Sequence, residues 1–126
     1  MSWVYRALIA LMILLFAIMG AGFYLDPVRA AGRIGLEAMN LTGMNAIHGD
    51  LGGLFVGMAL LLVLGLLRPA SAWLLAVAAL LATIALGRLL GFALTGSNSD
   101  DALMALGVEV ICVLILILGS RRLASE

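Results

Sequence analysis

Three ionisable residues lie inside long apolar stretches of the sequence, namely Asp50, Arg88 and Glu109. A charged side chain within a membrane span costs about 2.5 to 3.5 kcal/mol unless it is paired or faces a cavity. These residues therefore indicate either an internal ion cluster that fixes the register of three helices or a polar pocket. Two carboxylates beside one guanidinium leave a negative charge in excess, which a shared proton or a polar ligand would balance.

A pocket of this composition suggests two kinds of chemistry. In a binding or transport protein, Arg88 would hold a small anion or a lipid head group, while Asp50 and Glu109 would exchange a proton. In a membrane enzyme, Asp50 or Glu109 would be the general base acting on a hydrophobic substrate. A carboxylate held by an arginine is a weak base, so the enzyme is the less favoured interpretation.

The single histidine and the single cysteine offer little further chemistry. His48 is two residues from Asp50 and projects about 200° away from it around a helix, so we expect it to pack or to hydrogen-bond near the membrane interface. One histidine cannot supply the pair that ligates a haem within one chain, and no second metal ligand of the usual types follows at i+3 or i+4. Cys112 stands alone in mid-span, which excludes an intrachain disulfide. We expect no metal, no cofactor and no catalytic residue.

Four apolar runs must position these residues. They cover about residues 7–25, 46–67, 70–94 and 102–119, and each is near the ~20 residues that a helix needs to cross the hydrocarbon of a bilayer. The runs lack the two-residue alternation of a membrane β-strand. The sequence therefore predicts an all-α integral membrane four-helix bundle in a single domain covering residues 1–126.

The depths of the three charges follow from folding the chain at its loops. Arg88 and Glu109 are equally distant from the midpoint of the loop between spans three and four, and Asp50 stands opposite position 87 across the turn between spans two and three. We therefore expect all three charges in one buried layer. Glycines at four-residue spacing predict close helix packing around this layer. These are Gly49, Gly53 and Gly57 in span two, and Gly87 and Gly91 in span three.

The connection between spans one and two is the longest. Asp26 can cap and Pro27 can open a helix over about residues 27–40, with Arg29 and Arg33 on its polar stripe. We expect this short helix to lie at the outer membrane interface, near Tyr24. An ordinary solvated loop is the alternative, because three glycines in the stretch weaken a helix.

Composition and charge exclude several classes of protein. The chain is 65% hydrophobic and 11% charged, which rules out a water-soluble monomer, and its net charge of +0 makes a nucleic-acid partner very unfavourable. Four arginines flank one side of the spans, and two flank the other. The positive-inside rule then places both termini in the cytoplasm.

The run from Gly43 to Leu54, the pair Gly87-Arg88 and Glu109 in the last span together resemble the bacterial membrane family catalogued as domain of unknown function 4345. The resemblance covers nearly the whole chain, and it implies a small four-span protein of the bacterial inner membrane with no assigned activity. The family pattern has an acid at the position of Ala46, an arginine at that of His48 and an aromatic at that of Leu51. Asp50, one turn after Ala46 on the same face, is the expected replacement for the missing acid.

The sequence favours a non-enzymatic function. Because the exposed segments are short and no pair of catalytic groups is present, we expect a structural or accessory subunit that packs against a larger membrane complex or against copies of itself. Membrane lipid is the other expected partner. Binding or transport of a small anionic or lipid ligand at the Asp50, Arg88 and Glu109 layer, with His48 nearby, is the alternative.

Overall fold

A computed structural model describes residues 2–68, 71–96 and 99–126 of the chain, and these ranges contain helices and no strand. Four helical stretches are long and apolar enough to cross a membrane: Ser2–Leu25, Leu41–Leu67, Ser71–Thr95 and Asp100–Ala124. A short helix lies between the first and the second of them. The predicted fold class, an all-helical membrane protein with a short helix after span one, is confirmed.

The helices are numbered in chain order. They are α1 (Ser2–Leu25), α2 (Pro27–Arg33), α3 (Leu41–Ala46), α4 (Gly53–Leu67), α5 (Ser71–Thr95) and α6 (Asp100–Ala124). A π-helical segment, Ile47–Gly52, joins α3 to α4, so that span two is one continuous helix with a wider turn inside it. Helices satisfy all of their backbone polar groups within one segment, which is the condition for crossing a bilayer.

Polar side chains set the beginnings of three helices. Asp26 accepts a hydrogen bond from the backbone N–H of Arg29 at 3.3 Å, and Pro27 occupies the first turn of α2, as the sequence predicts. Ser99 Oγ accepts the N–H of Ala102 at 3.1 Å at the start of α6. Asn40 Oδ1 accepts the N–H of Gly43 at 2.9 Å and so begins α3. Span two therefore begins five residues before the predicted position 46.

The helix predicted over residues 27–40 is shorter than expected. It ends at Arg33, because Gly35 adopts a positive φ of 76° and the N–H of Leu36 turns back to the carbonyl of Ala31 at 2.9 Å. This is the Schellman arrangement that ends a helix at a left-handed glycine. The predicted start of span three, at position 70, lies outside the described residues.

The described chain divides into two compact units. One unit is Ala10–Val63, and its core is formed by Phe23, Ala31 and Ile47, against which Leu51 and Phe55 pack. The Phe55 ring is stacked on Phe23 with ring centroids 5.7 Å apart, so the end of α1, the short helix α2 and the beginning of α4 share one apolar contact.

The other unit is Met1–Ile9 with Leu64–Glu126, and its main feature is the antiparallel pair α5 and α6. Apolar side chains form the core of this unit, with Leu74, Val77, Leu81 and Leu116 buried. The first turns of α1 pack on the end of α6: a Cβ built on Gly119 would lie 3.4 Å from Cδ1 of Ile9. At the same end, Nη2 of Arg6 is 3.0 Å from Oε2 of Glu126.

Candidate functional site

Arg88 and Glu109 form an ion pair between neighbouring helices. Nη2 of Arg88 donates to Oε1 of Glu109 at 2.6 Å, and Nε donates to Oε2 at 3.2 Å. This bidentate arrangement is the strong geometry for a guanidinium and a carboxylate. The structure therefore brings together these two of the three predicted charges.

The pair lies well inside the helices that carry it. Arg88 is seven residues before the end of α5 at Thr95, about 10 Å at a rise of 1.5 Å per residue. Glu109 is nine residues after the beginning of α6, about 13 Å by the same measure. The Glu109 side chain is 12% exposed and that of Arg88 is 31% exposed. The carboxylate is thus covered by protein, while part of the guanidinium is accessible.

Asp50 does not share this environment. It lies on the π-helical segment of the unit Ala10–Val63, and it is exposed, whereas the sequence predicts a buried position. Among the residues that the structure describes, Asp50 makes no ion pair. Tyr24, in the last turn of α1, marks the level of this segment. The segment that carries Asp50 packs beside Tyr24 and is therefore level with the end of span one.

His48 stacks on Tyr24. The two rings are nearly parallel, with 4° between their planes and 6.1 Å between their centroids. The packing depends on Gly52, because a Cβ at that position would lie 2.9 Å from Cε2 of Tyr24. His48 therefore packs against the last turn of α1. Only the presence of an aromatic residue at the end of span one hints at the Tyr24 contact in the sequence.

The π-helical segment is a second feature that sequence reasoning missed. It covers six residues, Ile47–Gly52, and it includes both His48 and Asp50. Such segments are rare in proteins and occur often at functional sites. The glycines at 49 and 52 lower the helix propensity of this stretch, which was the available signal.

Close approaches involving glycine occur at positions other than those predicted. A Cβ on Gly20 would lie 2.6 Å from Cγ2 of Val56, and a Cβ on Gly52 or Gly65 would likewise come too close to the side chain of Tyr24 or Leu74. At Gly53 the Cβ would meet only the Tyr24 hydroxyl, at 3.9 Å. At the remaining four predicted packing positions it would meet no heavy atom of the described chain within 4 Å: Gly49, Gly57, Gly87 and Gly91. Those four glycines stand on open helix faces.

The remaining candidates add no second site. Cys112 is a buried free thiol one turn after Glu109 on α6. Within the described ranges, no group of three or more His, Cys, Asp or Glu side chains is placed to hold a metal ion.

Comparison with known proteins gives one result. No curated protein and no solved structure matches the chain. A family model described as a domain of unknown function, DUF4345, matches residues 4–120. That match covers almost the whole sequence, including the π-helical segment and both members of the Arg88–Glu109 pair. The chain is therefore a multi-pass membrane protein that belongs to the DUF4345 family.

Proposed function

We propose that this protein is a non-enzymatic structural or accessory subunit, which packs in the membrane against copies of itself or against a larger complex. The observation that carries the proposal is the Arg88–Glu109 pair. Both oxygens of the carboxylate accept hydrogen bonds from the guanidinium, so the two charges bind each other and join α5 to α6. Two charges that satisfy each other in this way can hold helices in register, which is the structural role of a paired charge within a membrane.

The uncovered surface of the spans supports a packing role. Between 17 and 28% of the residues in each span are buried within the chain. Gly87 and Gly91 lie one turn apart on α5, and nothing within 4 Å would touch a Cβ at either position. Small residues at this spacing let a second helix approach closely in a membrane. We assign this face of α5 to contact with another subunit.

Purification of the chain from its own membrane in mild detergent, followed by native mass spectrometry, tests the proposal. We expect a defined oligomer or a stoichiometric partner, and a chain that is always monomeric and alone would overturn it. Gly87→Leu fills the proposed contact and should release the partner or lower the oligomeric state. Ala93→Leu is the matched control, because Ala93 is exposed on the same helix but about 120° away from Gly87. Equal effects of the two variants would also contradict the assignment.

A second candidate function is the binding or proton-linked transport of a small anionic or lipid ligand at Arg88. The partial exposure of the Arg88 side chain, 31%, favours it, because a ligand has access to the guanidinium. Under this function, replacing Arg88 and Glu109 together with leucine removes ligand binding even when the fold survives. Under the structural function, the same double variant keeps its partner.

We further propose a place in the bacterial inner membrane, with both termini in the cytoplasm. Arg6 lies in the first turns of α1, Arg68 directly follows α4, and Arg121 and Arg122 lie in the last turn of α6. Arginines of this kind favour the cytoplasmic side. A reporter fused after Glu126 should be active only in its cytoplasmic form, and activity of a periplasmic reporter there would reverse the orientation.

A further inference from the structure

The outer face of α1 and α4 carries an apolar groove of about 500 Å³. Its lining comes from one face of each helix within the unit Ala10–Val63: Ile13, Ala17, Ala21, Tyr24 and Leu25 from α1, and Val56, Ala59, Leu60 and Val63 from α4. Ala17, Ala21 and Leu60 are exposed, so the groove is open along one side. Three of the lining residues are small alanines, of which Ala59 is buried, and Tyr24 is the one lining residue with a polar side chain.

We propose that this groove binds one acyl chain of a membrane phospholipid, with the polar end of the lipid beside Tyr24 and the methyl end toward Ile13 and Val63. The proposal is independent of the packing role assigned to α5, since it concerns other helices and another unit of the chain.

The length of the groove fits one leaflet. The lining runs from Val56 to Val63 on α4 and from Ile13 to Leu25 on α1, which are about 10 and 18 Å at 1.5 Å per residue. Half of the ~30 Å hydrocarbon core is ~15 Å. An acyl chain that ends at the bilayer midplane is therefore comparable in length to the groove, between the lengths of its two sides.

The width of the groove fits a lipid chain better than it fits a second protein helix. A volume of about 500 Å³ divided by a length of 10 to 18 Å gives a mean cross-section of roughly 30 to 50 Å². A helix with its side chains is 10–12 Å wide, which corresponds to a section of roughly 80 to 110 Å². An extended hydrocarbon chain can therefore lie inside the groove, whereas a second helix could only cover it from outside.

The polar end of the groove agrees with this orientation of the lipid. Tyr24 is in the last turn of α1, two residues before Asp26, and tyrosines at such positions sit at the level of the lipid head groups. Its ring is held in place by stacking on His48 and by the lack of a side chain at Gly52. The hydroxyl is thus positioned to hydrogen-bond the ester or phosphate region of a lipid whose chain occupies the groove.

Photolabelling tests the proposal with the full chain in vesicles of phosphatidylethanolamine and phosphatidylglycerol. The probe is a phospholipid with a diazirine near the methyl end of one acyl chain, and labelled peptides are mapped after irradiation. We expect label to be concentrated near Ile13 and Val63. Ala21→Trp should remove most of that label by filling the groove, whereas the matched control Ala76→Trp, at an exposed alanine of α5, should leave it unchanged.

Label spread over all four spans in proportion to their exposure would overturn the proposal, as would an Ala21→Trp variant that labels like the unsubstituted chain. Native mass spectrometry distinguishes a lipid in the groove from a second protein. If Ala21→Trp lowers the oligomeric state and leaves the labelling intact, the groove is a protein contact and the lipid proposal is wrong. Ala17→Val, a smaller replacement, gives the same comparison if Ala21→Trp does not fold, with helical circular dichroism as the check on each variant.

Discussion

Oε1 of Glu109 lies 2.6 Å from Nη2 of Arg88, and Oε2 of the same carboxylate lies 3.2 Å from Nε, so one acid of α6 accepts both hydrogen bonds from one guanidinium of α5. Each charge of the pair is balanced by the other, so neither needs an external ligand to neutralise it. The pair therefore constrains how α5 and α6 align along their lengths.

Replacing one member of the pair should destabilise the protein more than replacing both. Arg88→Leu or Glu109→Leu leaves a single charge at membrane depth, and we expect a loss of about 1 to 3 kcal/mol in the free energy of unfolding. The double variant leaves no charge and should recover most of that loss. Unfolding in mixed micelles with increasing sodium dodecyl sulfate measures all three. A double variant as unstable as the sum of the two single variants would contradict a structural pair.

Alanine should have opposite effects at two glycines of the membrane spans. Gly20→Ala places a Cβ 2.6 Å from Cγ2 of Val56 and 3.1 Å from its backbone nitrogen, so α1 and α4 must separate, at a cost of about 1 to 3 kcal/mol. Gly107→Ala on α6 meets open space and should stabilise its helix by up to about 1 kcal/mol. Thermal unfolding in detergent gives both values. Two changes of the same sign would show that the approach of α1 to α4 is not as close as described.

Gly35 and Gly32 form a similar contrast in the short helix α2. Gly35→Ala forces a side chain into a backbone with φ of 76°, which costs about 1 to 2 kcal/mol. Gly32→Ala lies in open space within the helix and should gain about 0.5 to 1 kcal/mol. Amide hydrogen exchange at Leu36, whose N–H bonds to Ala31, reports the local stability. Faster exchange in Gly32→Ala than in Gly35→Ala would refute the helix end described here.

The contact between Arg6 and Glu126 should depend on pH. Hydrogen bonds from the side chains of Ser2 and Arg6 lower the pKa of the Glu126 carboxyl from its ordinary value of 4.5. Because the pKa is lower in the folded state, the contact stabilises the folded protein fully above pH 4.5. This stabilisation is lost as the pH falls through the lower pKa of the folded state. Carbon NMR of the Glu126 carboxyl should show this titration.

Arg6→Gln should move that pKa upward, toward its ordinary value, because one of the two hydrogen-bond donors loses its charge. Arg121→Gln is the control, since the structure gives no bond from Arg121 to this carboxyl among the described residues. An equal rise in both variants would indicate general charge and not the specific Arg6 contact.

The positions of the spans and the Arg88–Glu109 pair can be predicted from the sequence, because both follow from simple helix geometry. Two antiparallel helices joined by a short loop place residues at equal distance from the loop midpoint at one depth, so the contact followed from counting. Counting gives depth but not the rotation of a helix about its axis. Rotation decides which side chain faces inward, and the four glycines with open faces show that it differs here from the prediction.

Asp50 shows the same limit in another way. Its depth was obtained by folding the chain at the turn after α4, under the assumption that span two is a regular α-helix throughout. The π-helical segment adds a wider turn, and Tyr24 packs against it from α1. The contact between residues 24 and 48 depends on the course of the long connection through α2. Neither composition nor periodicity predicts that course.

The wider turn at Ile47–Gly52 also bears on how the length of this chain could change. A π-turn holds one residue more than an α-turn, so the removal of one residue there yields a regular α-helix and not a break in the hydrogen-bonded ladder. Loss of a residue elsewhere in α4 would rotate every later side chain of that helix. The segment around Gly49 is thus the place in span two where the loss of one residue can be absorbed, with Gly53–Leu67 keeping its register.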